Sequence, residues 1–87
     1  MSKEPCISGA VAGRSRDHIA NIVGREVFDR AMARARAEDR DAYLLATPVG
    51  WLPVSLVERM TELVASESGI PAERLIGEAS RLTQEHL

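Results

Sequence analysis

Histidine and cysteine are the side chains best suited to catalysis or metal binding, and this sequence contains very few of them. Cys6 is the only cysteine, and His18 and His86 are the only histidines. None of the three lies three or four residues from another, the spacing that puts two ligands on one helix face. We therefore predict no metal site and no cofactor, and we expect His18 to be a surface or half-buried helix residue and not a base.

Nucleophilic catalysis also lacks its usual setting. The serines, among them Ser55, Ser66 and Ser80, are not in a Gly-x-Ser-x-Gly context, and no base is near Cys6 in sequence. The small-residue stretch from Gly9 to Gly13 lacks the lysine of a phosphate-binding loop. These absences predict a protein that is not an enzyme.

Arginines in the N-terminal half are the candidate contacts for a charged partner. Arg25, Arg30 and Arg34 are close in sequence, but Glu26 and Asp29 interrupt them. Residues 1–37 carry seven basic and four acidic side chains, and residues 38–87 carry four and nine, for a net charge of −2. A nucleic-acid-binding regulator is therefore the less favoured alternative, since phosphate contacts dominate such binding.

Trp51 is the only tryptophan and lies in a short link between Gly50 and Pro53. It can close the core over the link or stand exposed as an anchor for another chain. Because tryptophan is mostly buried and aromatic residues are scarce here, we favour the core position.

The elements that must position these residues are helical. Apolar residues recur at helical spacing from Ser15, which we expect to cap the first helix, and again from residue 25 to about 37 after an interruption at Gly24. A short helix capped by Asp39 should precede Pro48, and prolines 53 and 71 should open the last two helices. The predicted fold is mainly α, a single domain over residues 1–87 built as a small bundle of four to five short helices. Residues 1–14 are expected to be extended or flexible, with no sheet.

A helical chain of this length buries a thin core. The stripes within Val27–Ala35 and Val54–Val64 therefore predict apolar surface that one copy cannot hide. We predict a non-catalytic interaction or oligomerisation module, regulatory or scaffolding, with a homodimer as the expected form. The predicted partner-binding residues are as follows: Phe28, Met32, Trp51, Leu52, Leu56, Met60 and Leu63. No apolar run is long enough to span a membrane, and the acid and proline near the start argue against a signal peptide, so a cytoplasmic protein is expected.

Three stretches carry short motifs: Glu38-Asp39-Arg40 before a helix, Trp51-Leu52-Pro53 before an apolar helix, and Glu85-His86 in the last segment. They resemble a paralogous family of unknown function that is abundant in myxobacteria. Residues 38–45 resemble the Glu-Asp-Arg helix start of that family, and residues 50–60 resemble its Trp-(Tyr/Leu)-Pro link opening an apolar helix. Residues 77–87 resemble its closing segment, Gly24 the glycine between its first two helices, and residues 7–9 its opening. The match departs from the family at Ser80–Thr83, where an aromatic residue is usual.

The resemblance implies a distant similarity to the α/β fold shared by vesicle-tethering subunits and bacterial haem–nitric-oxide-associated sensor domains. Family domains continue beyond the region matched here, and that further part carries the sheet and any ligand pocket. The implied similarity is therefore confined to the helical N-terminal part of such a domain. A second alternative follows, in which this chain is the helical half of a small-molecule-sensing domain.

Overall fold

The computed structural model describes the backbone of residues 5–85 and the side chains of residues 5–81. Five helices and two short strands make up the described chain, so the prediction of a mainly α fold is confirmed. In chain order they are as follows: β1 (Cys6–Ser8), α1 (Gly9–Val23), α2 (Arg25–Arg34), α3 (Ala37–Leu44), β2 (Trp51–Pro53), α4 (Val54–Ser68) and α5 (Ala72–Glu85). His86 lies outside the described residues.

The prediction that no sheet exists is wrong. Strands β1 and β2 pair antiparallel, with Cys6 opposite Pro53, Ile7 opposite Leu52 and Ser8 opposite Trp51. The backbone nitrogen of Val54 continues this contact by donating to the carbonyl oxygen of Pro5 at 2.9 Å. Three-residue strands leave almost no periodic signal, and their pairing depends on a partner far away in sequence.

The first helix begins seven residues earlier than predicted, since its cap is Ser8 and not Ser15. It starts at Gly9, because the hydroxyl of Ser8 accepts a hydrogen bond from the backbone nitrogen of Val11 at 3.2 Å. A serine oxygen in this position satisfies one of the donors at a helix start. The expected extended segment over residues 1–14 is therefore restricted, within the described chain, to the residues before Gly9.

Glycines end two helices, and one of them, Gly24, lies at the predicted interruption. Gly24 separates α1 from α2 with φ of 92°, and Gly69 ends α4 with φ of 77°. Both values lie in the region that side chains with a Cβ rarely adopt. The predicted Asp39 cap is wrong, since α3 begins at Ala37 and Asp39 instead pairs with Arg59 of α4 at 3.3 Å.

The core lies between two helix pairs and the two-stranded ribbon formed by β1 and β2. Helix α2 packs chiefly on α4, and α1 packs chiefly on α5. Arg16 joins α1 to the end of α3, because its guanidinium donates to the carbonyl oxygens of Tyr43 and Leu44 at 3.0 and 3.2 Å. A single apolar cluster runs through all five helices and β2.

Candidate functional site

Most of the predicted partner-binding side chains lie inside one copy of the chain. The structure buries five of them, namely Phe28, Met32, Leu52, Leu56 and Met60, and it leaves Leu63 half-buried against the same core. The stripes of α2 and α4 cover each other, so neither needs a second chain. The prediction that these five residues form an accessible contact face is corrected: they hold the subunit together.

Trp51 behaves differently from these core residues. Its side chain is 69% exposed, so the predicted core position is wrong. Successive side chains of a strand point to opposite faces, and Leu52, opposite Ile7, takes the inward position of this ribbon. Trp51 therefore projects outward.

Of the large apolar side chains exposed in the described chain, four lie between residues 44 and 51 of the sequence. Leu45 and Val49 are 74% and 89% exposed, and Leu44 is partly exposed. These four residues, which we call the 44–51 surface, lie between the last residue of α3, Leu44, and the first residue of β2, Trp51. A turn closed by a 3.0 Å hydrogen bond from the nitrogen of Gly50 to the oxygen of Thr47 folds this segment back on itself. Exposed apolar patches of this kind mark contact surfaces.

A signal for this surface is present in the sequence. Residues 42–57 contain no charged side chain, whereas charged residues make up 28% of the whole chain. Helical periodicity marks the stripes of α2 and α4 and gives no indication of Leu44, Leu45 and Val49. The feature that indicates these three residues is the uncharged stretch itself. It contains two prolines and a glycine, so it cannot be one buried helix.

The outward face of the ribbon extends the 44–51 surface. Because Cys6 pairs with Pro53 and Ser8 with Trp51, these four residues share the face opposite Leu52. Cys6 is exposed and Pro53 is half-buried. Cys6 thus lies on the same side of the ribbon as Trp51, one residue pair further along.

The predicted charged contacts are largely engaged within the chain. Arg25 pairs with Asp29 at 3.4 Å, Arg30 with Glu26 at 3.6 Å, and Arg34 with Glu67 of α4 at 3.2 Å. Each pair adds a carboxylate beside a guanidinium, which lowers the positive potential of this face. In the structure, therefore, each of these three arginines pairs with a carboxylate, and together they do not form an open basic patch.

Tyr43 is the one described group whose pKa is clearly displaced. Burial raises the pKa of its phenol to about 12, and the nearby Arg16 opposes part of this shift. The phenol oxygen is buried and has no hydrogen-bond partner among the described residues. A phenol held neutral inside the core has no substrate-facing role, so the displaced pKa reflects packing.

Among the described residues, no three His, Cys, Asp or Glu side chains are grouped so that they could hold a metal ion. No described helix is both long and apolar enough to cross a membrane. Comparisons with protein-family models, curated proteins and solved structures found no match. The resemblance to the myxobacterial family therefore stays a prediction.

Proposed function

We propose that this protein is a non-catalytic oligomerisation module that associates with a second copy of itself through the 44–51 surface. The single observation behind the proposal is the exposure of Leu45, Val49 and Trp51 within one short segment, on a chain whose α2 and α4 stripes are already covered. A regulatory or scaffolding role in the cytoplasm belongs to the same proposal.

The chemistry of the surface suits a symmetric contact. In a two-fold dimer the same patch meets itself, so any charge on it would face a like charge. Residues 42–57 are uncharged, which removes that repulsion. Tryptophan is also the residue most enriched among those that dominate binding energy at interfaces.

The patch is small, which sets the expected strength. Stable interfaces bury roughly 800 Å² per partner, more than four side chains supply, so we expect a dissociation constant on the order of 100 µM. The protein should then be mainly monomeric when dilute and increasingly dimeric when concentrated.

Light scattering across a concentration series tests the proposal. The average mass should rise with concentration for the natural chain, and Trp51→Ser should shift the rise to at least about tenfold higher concentration. Ile22→Ser is the matched control, because Ile22 is a partly exposed apolar residue of α1 that is not part of the 44–51 surface. An average mass that stays at the monomer value up to roughly 1 mM would contradict the proposal, because a contact with the expected dissociation constant would be mostly dimeric at that concentration.

Cys6 offers a second readout of the same contact. It shares the outward ribbon face with Trp51, so a dimer formed there brings two Cys6 thiols close together. Mild oxidation should yield a disulfide-linked dimer that Trp51→Ser reduces and Cys6→Ser abolishes. Equal cross-linking in the natural chain and in Trp51→Ser would show that contact occurs by random collision.

The two alternatives receive less support. Ion pairs occupy Arg25, Arg30 and Arg34, which weakens the nucleic-acid alternative. The sensor alternative rests on the family resemblance, and no described residue group indicates a chromophore. Neither alternative has an observation that favours it over self-association.

A further inference from the structure

An open groove runs along α4 and α5, and none of its lining residues belongs to the 44–51 surface. Its volume is about 350 Å³, and apolar side chains of β1, α1, α4 and α5 line it. Ile7, Val11, Val54, Val57 and Ile76 form the apolar part. Val11 and Ile76 are each 42% exposed, so this part of the core is open to solvent.

The apolar groove continues into an acidic depression. Glu58 and Ile76 line both, and Glu62 and Glu73 complete the second, which has a volume of about 380 Å³. The three glutamates are exposed and form no ion pair among the described residues. No basic side chain of the described chain lines either depression. One end of the groove is therefore apolar, and the other is lined by exposed carboxylates with no basic side chain among the lining residues.

The spacing of the lining residues gives the groove its length. On α4 they are residues 54, 57, 58, 61 and 62, one helix face over about 12 Å at 1.5 Å per residue. On α5 they run from Ala72 to Ser80, again over about 12 Å. Two neighbouring helices thus form an open groove about two helical turns long. A groove of this kind can bind a third, amphipathic helix.

We propose that this groove binds an amphipathic helix of a partner protein that carries apolar residues followed by lysine or arginine. The apolar residues would cover Ile76 and Val57, and the basic residues would meet Glu58, Glu62 and Glu73. Charge complementarity selects this occupant, since three facing carboxylates repel an acidic helix. The same groove of a second copy is excluded by like charge, and the arginines of α2 are engaged in ion pairs.

The test uses the full chain and fluorescently labelled synthetic helical peptides, with binding read by anisotropy. The probe carries leucine and alanine on one face and lysine beside it; a matched peptide has glutamate in place of each lysine. The lysine peptide should bind at least about tenfold tighter than the glutamate peptide, and salt should weaken its binding. Equal binding of the two peptides would overturn the proposal.

Variants locate the site. The triple change Glu58→Gln, Glu62→Gln and Glu73→Gln should weaken the lysine peptide by about tenfold and flatten its salt response, and Ile76→Ser should weaken it at every salt concentration. The charge-matched control is the triple change Glu26→Gln, Glu38→Gln and Asp41→Asn, all exposed residues outside the groove. Unchanged binding in the groove variants, or equal losses in the control, would overturn the proposal.

Two further measurements keep the result interpretable. Circular dichroism and thermal unfolding of each variant show whether it folds, and single Glu62→Gln and Glu62→Lys variants give graded changes should the triple variant unfold. Trp51→Ser should bind the lysine peptide like the natural chain, since it lies outside the groove. A loss of peptide binding in Trp51→Ser would overturn the placement in the groove without bearing on self-association measured by light scattering.

Discussion

The backbone nitrogen of Gly9 donates a 2.7 Å hydrogen bond to the carbonyl oxygen of Gly50. This bond joins the first residue of α1 to the residue just before β2, and it extends the contact made by the ribbon. Gly9 is buried at this point. The segment that carries the 44–51 surface is thereby held directly against the start of the first helix.

Replacing Gly9 with alanine should destabilise the protein strongly. The added Cβ would overlap the backbone carbonyl of Thr47, and backbone atoms cannot move aside as a flexible side chain would. We expect the free energy of unfolding to fall by about 3 kcal/mol, at the upper end of overpacking effects. Chemical denaturation measures the change.

Gly77→Ala is the matched control for Gly9→Ala. Gly77 lies within α5, and nothing lies within 4 Å of a Cβ added there. Alanine in an open helical position should raise the free energy of unfolding by about 0.5–1 kcal/mol. Similar effects at the two positions would show that helix propensity, and not the contact with Thr47, determines the outcome at Gly9.

Tyr43→Phe should leave the protein as stable as before or more stable. The substitution removes a buried phenol oxygen that has no hydrogen-bond partner among the described residues, and it keeps the ring that fills the core. Relieving such a group is worth about 1 kcal/mol, whereas Tyr43→Ala should cost about 3–5 kcal/mol through loss of the ring. Denaturation midpoints of the two variants measure both effects, and a large loss in Tyr43→Phe would mean that the hydroxyl is satisfied.

Tyr43 should also make stability depend on pH in the alkaline range. Its pKa is about 12 in the folded protein and 10.0 in the unfolded chain, so between these values the unfolded state binds fewer protons. The free energy of unfolding therefore falls as pH rises through this window, and the contribution is fully present below pH 10.0.

Because Tyr43 is the only tyrosine, ultraviolet absorbance of the phenolate reports its titration directly. Thermal unfolding of Tyr43→Phe is the companion measurement, and it should show a smaller loss of stability over the same pH window. A phenol that titrates at its ordinary pKa in the folded protein would contradict the expectation.

Glu67→Gln should weaken the contact between α2 and α4. The Glu67 carboxylate pairs with Arg34 at 3.2 Å and with Arg30 at 3.7 Å, and it is only 20% exposed. We expect a loss of about 0.5–1 kcal/mol, in line with partly exposed ion pairs. Glu26→Gln removes a much more exposed partner of Arg30 and should change stability less. Equal losses in the two variants would indicate a general charge effect.

Trp51 fluorescence should report an exposed indole that becomes covered on association. Trp51 is the only tryptophan, and the structure leaves most of its side chain in solvent. Dilute protein should emit at long wavelength and be quenched readily by iodide; concentrated protein should emit further to the blue and resist quenching. Strong protection of the indole in dilute protein would place Trp51 in the core after all.

Helix content was predictable from the sequence because it depends on local spacing. Three features follow from residues within a turn or two of one another: the stripe of α4, the breaks at Gly24 and Gly69, and the start of α5 after Pro71. The ribbon was not predictable in the same way, because the pairing of Ile7 with Leu52 joins two segments that are distant in sequence and share no local pattern.

The candidate site was harder to predict for a related reason. Phe28 and Met60 are apolar, as the residues of a contact face are. Only the packing of α2 on α4 shows that both side chains are buried within one chain. The exposure of Trp51 depends on which strand face Leu52 occupies, a choice that alternation alone leaves open. The acidic groove likewise depends on how α5 lies beside α4.

The β1–β2 ribbon also has a kinetic consequence. Its pairing closes a ring of chain that contains all of α1, α2 and α3, so the ends of that ring must find each other by diffusion before the ribbon gains any hydrogen bond. Helical hairpins form from neighbouring segments and meet no such delay. Closure of this ring therefore costs chain entropy that a helical hairpin does not, and Trp51 and Leu52 are assigned to the outside and the inside only once it occurs.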